Sequence, residues 1–204
     1  MSQLSEYRDR EHWSFSSINQ FLNICSLQWA FERLYKLPKA FTPASMSFGS
    51  VFHRVMEWAG LVRKEGRMPV KKDAAELFGE LWARQLQEDQ NVKFDEDTTP
   101  ESCAQQGRDL VACAVDFMDP EERVVAVNEA FAVPLRDEHG ALEKPLVGEV
   151  DLIVEKDERL VVDYKTSGRR WPKDQADKSL QPTVYLYAET ELHGYLVTQA
   201  ISRN

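Results

Sequence analysis

Over the first 120 residues apolar side chains recur every three or four positions, and from Arg123 onward they alternate; this change of period constrains the fold most. A spacing near 3.6 buries one stripe of a helix, whereas a spacing of two buries one face of a strand. Helices followed by strands predict an α/β protein with an N-terminal helical layer, not a bundle or a β-sandwich. No repeat, low-complexity tract or Pro/Ser linker divides the chain. One domain over 1–204 is therefore expected, with 1–120 mainly helical and 121–204 forming the sheet core.

In the helical half, Ser16 or Ser17 is placed to cap a helix carrying Ile18, Phe21, Leu22, Cys25, Trp29 and Leu34. Its aromatic neighbourhood (Phe21, Trp29, Phe31, Tyr35) reads as core. After the breaks at Pro38 and Pro43, Val51, Val55, Met56 and Ala59 share one helical face, with His53 and Glu57 four apart on another. Two further amphipathic helices are predicted near 73–88 and 101–118. The acidic stretch QEDQNVKFDEDTTPE between them reads as a mobile loop.

The strand half opens with Val125, Val127, Glu129, Phe131, Val133 and Leu135 on one face, apolar except for a single glutamate. An unpartnered buried carboxylate costs several kcal/mol. Glu129 should therefore either point into a metal site or pair with a cation such as Lys165 or an arginine. A second strand, Leu146 to Glu155, places Val147, Glu149, Asp151 and Ile153 together, and Lys156-Asp157-Glu158 suits a hairpin turn. A third, Arg159 to Thr166, puts Val161, Asp163 and Lys165 on one side. A helix from about Asp177 to His193 and a last strand, Tyr195 to Ile201, complete the order.

Across that hairpin Asp151, Asp163 and Lys165 can meet. Two carboxylates converging on a half-buried sheet repel unless a cation sits between them. A hard divalent ion is the natural compensator, because magnesium takes one or two protein carboxylates together with substrate phosphate. Lys165 then adds a fixed positive charge suited to orienting a nucleophilic water or stabilising the charge that develops on a phosphorane. Against this, Asp-Tyr-Lys on a strand is by itself usually a solvated face with a weak ion pair.

Charge and composition limit the alternatives. A formal net charge of -9 argues against coating nucleic acid by bulk electrostatics, so any nucleic-acid surface must be a local basic patch. The segment 165–178 supplies one, with Lys165, Arg169, Arg170, Lys173 and Lys178 against Asp174 and Asp177. Arg169, Arg170 and Lys173 are the candidate DNA contacts, and Trp171 is placed to stack on a base. Three cysteines (Cys25, Cys103, Cys113) without C-x-x-C spacing support neither a disulfide framework nor a zinc knuckle. The charged N-terminus and the lack of a long apolar run point away from secretion and membrane insertion, and a cytoplasmic setting is expected.

The segments GSVFH, VGEVDLIV, LVVDYKTS and QPTVYLYA occur in this order. Together they resemble the PD-(D/E)XK nuclease superfamily, and within it the RecB-like exonuclease branch. The resemblance implies a restriction-endonuclease-like core, α-β-β-β-α-β, with a central mixed sheet flanked by helices. It implies that His53 of the G-x-x-x-H helix, Asp151 of the G-x-[IV]-D strand and Asp163 of the D-x-K strand hold Mg²⁺ or Mn²⁺, with Glu129 as a candidate further ligand. Lys165 becomes the catalytic lysine, and Gln181 and Tyr185 of the Q-x-x-x-Y helix organise the site. The implied activity is a DNA exonuclease acting on DNA ends or single strands and leaving 5′-phosphates. A helicase or other recombination or repair subunit is the implied partner. Branch members with an iron–sulfur cluster use three cysteines near the C-terminus; none follows Cys113, so no cluster is expected. The alternative is a non-catalytic DNA-binding or scaffolding subunit that retains the nuclease fold.

Overall fold

A computed structural model of the chain describes residues 3–166 and 178–193, and the backbone alone at 200–203. The helices are α1 (Gln3–Arg8), α2 (Phe15–Asn19), α3 (Ser26–Trp29), α4 (Ala44–Lys64), α5 (Lys71–Glu88), α6 (Pro100–Asp116) and α7 (Leu180–His193). The strands are β1 (Thr42–Pro43), β2 (Val92–Lys93), β3 (Arg123–Val133), β4 (Arg136–Asp137), β5 (Gly140–Ala141), β6 (Leu146–Glu155), β7 (Arg159–Tyr164) and β8 (Ala200–Arg203). Among the described residues no helix is long and apolar enough to cross a membrane.

The central sheet runs β3-β6-β7-β8. β3, β6 and β7 are antiparallel neighbours, and β8 returns parallel to β7 after α7. With α4 in front, this is the α-β-β-β-α-β order of a restriction-endonuclease-like fold, and the sheet is mixed as expected. Val51, Val55, Met56 and Ala59 of α4 pack on one face of the sheet and share a core with Phe78 and Trp82 of α5 and Val111 of α6. Val184, Tyr185 and Ala188 of α7 pack on the other, against Phe131, Val150 and Val161. α6 starts where local chemistry dictates: Thr99 and Ser102 form a reciprocal capping box ahead of Pro100 at the first turn.

Three expectations need correction. The segment predicted as one helix from Ser16 is capped by Ser14 and breaks into α2, a π-turn at Gln20–Ile24, α3 and a second π-turn at Ala30–Leu34. Each π-turn bonds i to i+5 and shifts the phase of the following side chains, so the apolar spacing in sequence no longer defines one buried stripe. Phe21, Phe31 and Tyr35 are consequently exposed, as are Leu22 and Leu34. Trp29 alone of those aromatics is half-buried, its indole N–H donating to Ser17 at 2.8 Å.

The single apolar face foreseen for β3 is likewise interrupted. Asn128 adopts a left-handed φ of 47° and the β3–β6 register shifts between Val124 and Ala126. Val127 therefore packs with α4's core while Phe131 and Val133 pack under α7. Finally, the acidic stretch after α5 is pinned, because Val92 and Lys93 pair in parallel with Thr42 and Pro43.

Candidate active site

The G-x-x-x-H helix, the G-x-[IV]-D strand and the D-x-K strand converge where β6 and β7 part. Their pairing is regular from Glu155↔Arg159 to Leu152↔Val162 and then stops. The next amide, Tyr164 N–H, donates instead to Asp151 Oδ2 at 2.8 Å. A strand that would otherwise leave a half-buried donor unsatisfied thus uses the aspartate side chain, which fixes that carboxylate in place. The edge of β6 that β7 leaves bare is covered by Trp13, which bonds to Pro145 and Val147.

Two motif glycines permit this approach. A Cβ at Gly49 would sit 3.2 Å from Thr166 Oγ1, so the helix bearing His53 can lie close to the chain leaving β7. A Cβ at Gly148 would fall 2.4 Å from the buried Phe131 ring, which packs edge-on against Tyr185.

His53 Nδ1 lies 3.4 Å from Asp151 Oδ1, with the two side chains 39% and 18% exposed. Lys165 Nζ approaches Asp163 Oδ2 at 2.6 Å and donates to Gln181 Oε1 at 2.8 Å. Gln181 Nε2 in turn donates to Asp163 Oδ1 at 3.0 Å and to Tyr185 OH at 2.7 Å, and Tyr185 OH reaches Asp163 Oδ1 at 3.3 Å. Spacing i to i+4 on α7 aims Gln181 and Tyr185 at one carboxylate. Every candidate named from the D-x-K, G-x-[IV]-D, G-x-x-x-H and Q-x-x-x-Y segments is therefore brought to one place.

The electrostatics reflect crowded carboxylates. Burial pushes the Asp163 carboxyl up, Lys165 holds it back, and the charge of Asp151 adds to the rise. Burial pulls the His53 imidazole down, but the hydrogen bond and charge of Asp151, with Asp163 behind it, outweigh that and leave His53 above its ordinary value. Burial, followed by the charges of Asp163 and Asp151, raises the Tyr185 phenol, so it acts at neutral pH as a protonated hydrogen-bond donor. Two carboxylates and an imidazole at the open end of a sheet fit a hard divalent cation as a donor set. Beside them a cleft is lined by Arg8, Ser14, Phe15, Glu149, Gln181 and Tyr185.

Other expectations are corrected or fall elsewhere. Glu129 neither joins His53, Asp151 and Asp163 nor pairs with Lys165. It lies on the α7 side of β3, with Oε1 3.8 Å from His193 Nε2 and Glu189 beside it. The parity change at Asn128 separates Glu129 from the face that carries Val127. Burial, then the charge of Glu129, pushes the Glu189 carboxyl up to about 7 against the pull of Arg159. Sequence reading passed over Glu189 and His193, although their i, i+4 spacing at the end of a predicted helix was a visible signal. Asp151 is the carboxylate beside His53, and Glu57, one turn further along α4, lies near Glu149. Arg8, which faces Glu149, was also missed, since nothing in the first ten residues marks it. Arg169, Arg170, Lys173 and Trp171 lie outside the described residues.

No curated protein matches the chain. A model of the PD-(D/E)XK nuclease superfamily matches residues 12–201 of the 204, a span that takes in the helical layer, the forked sheet and all four motif segments. With that match and the restriction-endonuclease-like core, the chain belongs to the PD-(D/E)XK nuclease superfamily.

Proposed function

We propose that this protein is a Mg²⁺- or Mn²⁺-dependent deoxyribonuclease of RecB-like type that degrades DNA from ends or as single strands. One observation carries the reading: the two aspartates and the lysine of the D…D-x-K pattern share the forked end of the sheet, with His53 on one side and Gln181 and Tyr185 on the other. His53, Asp151 and Asp163 would hold the ion. Bound there, a divalent cation supplies Lewis acidity and neutralises charge on the scissile phosphate.

The remaining work falls to the protein's own groups. Lys165 Nζ points into the same space and orients the attacking water while countering the charge that develops on the phosphoryl oxygens. The water oxygen bonds to phosphorus, the P–O3′ bond breaks, and the products are a 5′-phosphate and a 3′-hydroxyl. Gln181 is a positioning residue, holding Lys165 through its amide oxygen and Asp163 through its amide nitrogen. Arg169, Arg170 and Lys173 supply the basic contacts to the phosphate backbone. A cytoplasmic repair, recombination or phage- or CRISPR-related pathway, with a helicase or comparable subunit delivering DNA, suits this substrate class.

The test incubates the purified chain with end-labelled linear duplex, linear single-stranded and circular single-stranded DNA, with each ion in turn or with EDTA. Metal-stimulated loss of the linear substrates, with 5′-phosphate products, is the expected result. Intact DNA on all substrates with both ions sinks the enzymatic reading in favour of the scaffolding one.

A separate expectation concerns Gln181→Leu, which removes the bridge between Lys165 and Asp163 without touching either. Partners that orient catalytic or metal-holding groups typically matter by about 10–100-fold. Cleavage should fall within that range, with KM for DNA little changed, because the lost contact orients reacting groups and does not bind substrate. A Gln181→Leu rate equal to that of the unaltered protein would remove the positioning role.

A further inference from the structure

Glu129, Glu189 and His193 form a second cluster on the α7 side of the sheet. Glu189 has no exposed surface, and among the described residues neither of its carboxylate oxygens has a hydrogen-bond partner; Glu129 Oε2 is also buried without one there. An ionised carboxylate buried this way is costly unless a cation or a proton compensates it. Glu189 and His193 lie one turn apart on α7, and Glu129 meets them from β3.

The donor spacing identifies the compensator. His193 Nε2 is 3.4 Å from Glu189 Oε2 and 3.8 Å from Glu129 Oε1. One ligand atom from each of the three residues falls within 4.8 Å of the others. Zinc bonds nitrogen and carboxylate oxygen at about 2.0–2.2 Å, so neighbouring corners of its tetrahedron lie ~3.4 Å apart. An imidazole with two carboxylates in so enclosed a place, with Glu189 fully buried, suits zinc, whereas magnesium keeps several waters and needs open space such as the forked end of the sheet offers. The guanidinium of Arg159 also acts on Glu189 and is the competing source of positive charge.

We propose that Glu129, Glu189 and His193 form a structural zinc site that fastens the C-terminal end of α7 to β3, with solvent entering through the half-exposed His193 side to complete the coordination. This site is separate from the His53–Asp151–Asp163 centre and does not depend on its being a nuclease site. The link to that centre is mechanical, because the opposite end of α7 carries Gln181 and Tyr185.

The test uses the full chain carrying Asp151→Ala and Asp163→Ala, so that the other centre does not contribute ions. Zinc is titrated against a chromophoric chelator, Tm is followed with zinc, and cobalt is added as a spectroscopic probe. Expected are one zinc equivalent, a Tm that rises with zinc concentration as binding to the folded state requires, and the intense visible bands of tetrahedral cobalt. Adding Glu189→Gln or, at the more accessible position, His193→Ala should abolish all three. A double-aspartate variant that takes up no zinc overturns the proposal in favour of compensation by Arg159 or a shared proton. Retention of the zinc equivalent after both Glu189→Gln and His193→Ala overturns it as well. None of the three readouts requires DNA cleavage, so failure here leaves the proposed function standing, and the converse also holds.

Discussion

Lys165→Met should lower metal-stimulated DNA cleavage by about 10²–10³-fold, the usual consequence of removing one preorganised group that meets developing charge. Lys165 is well placed for this effect, because Asp163 at 2.6 Å and Gln181 at 2.8 Å hold its ammonium against the rest of the site. Lys165→Arg keeps the charge but replaces a compact ammonium with a planar fork, and should recover only part of the loss. The same substitution affects stability with a defined pH dependence. Burial already raises the Asp163 carboxyl and Lys165 opposes that rise, so removing Lys165 lifts it further. A carboxyl with a folded-state pKa above its unfolded value destabilises the fold when ionised and ceases to do so once protonated. The deficit of Lys165→Met in urea titrations with EDTA present should therefore be full at neutral pH. It should shrink as pH falls through the raised Asp163 value. A variant that cleaves DNA within a few-fold of the unaltered rate removes Lys165 from the chemistry.

The largest stability effect is expected in the helical layer, far from that site. Phe78 has no exposed surface, stacks on Trp82 at 6.4 Å between centroids, and lies 5.4 Å from Phe48. Its ring also rests on Gly107 of α6, where a Cβ would fall 2.0 Å from ring carbons. Phe78→Ala should cost about 3–5 kcal/mol, through lost burial and a cavity the surrounding aromatic rings cannot fill. Gly107→Ala gains helix propensity yet should still destabilise by about 1–3 kcal/mol, because the enclosed ring has nowhere to move. Combining Gly107→Ala with Phe78→Leu tests the cause, since a smaller side chain leaves room for the new methyl. Urea titrations should then give a double variant more stable than the sum of the singles, by about 0.5–3 kcal/mol. Strict additivity would show that the ring and the glycine do not constrain each other.

These two predictions draw on different kinds of information. Asp163 and Lys165 are two residues apart, so sequence alone places them on one face of an extended chain, and Lys165, just past the end of β7, does reach Asp163. Gln181 and Tyr185, four apart on a helix, are fixed by a similarly short-range rule. The close approach of Gly107 and Phe78 joins residues on different helices, and no local rule encodes it. Residues 15–34 illustrate the opposite failure. Their spacing is locally regular, yet two π-turns shift its phase and expose Phe21, Phe31 and Tyr35.

The amino-acid order by itself determined that a helical half precedes a strand half, the hairpin at Lys156–Glu158, and the polar side chains that could act together, because each depends on backbone periods spanning a few residues. Tertiary structure alone decided the partner of Glu129. A left-handed Asn128 interrupts the alternation of β3, and packing of α7 across the sheet brings Glu189 and His193 to that carboxylate. Contacts between residues sixty positions apart are set by how whole elements pack, and periodicity carries no information about them.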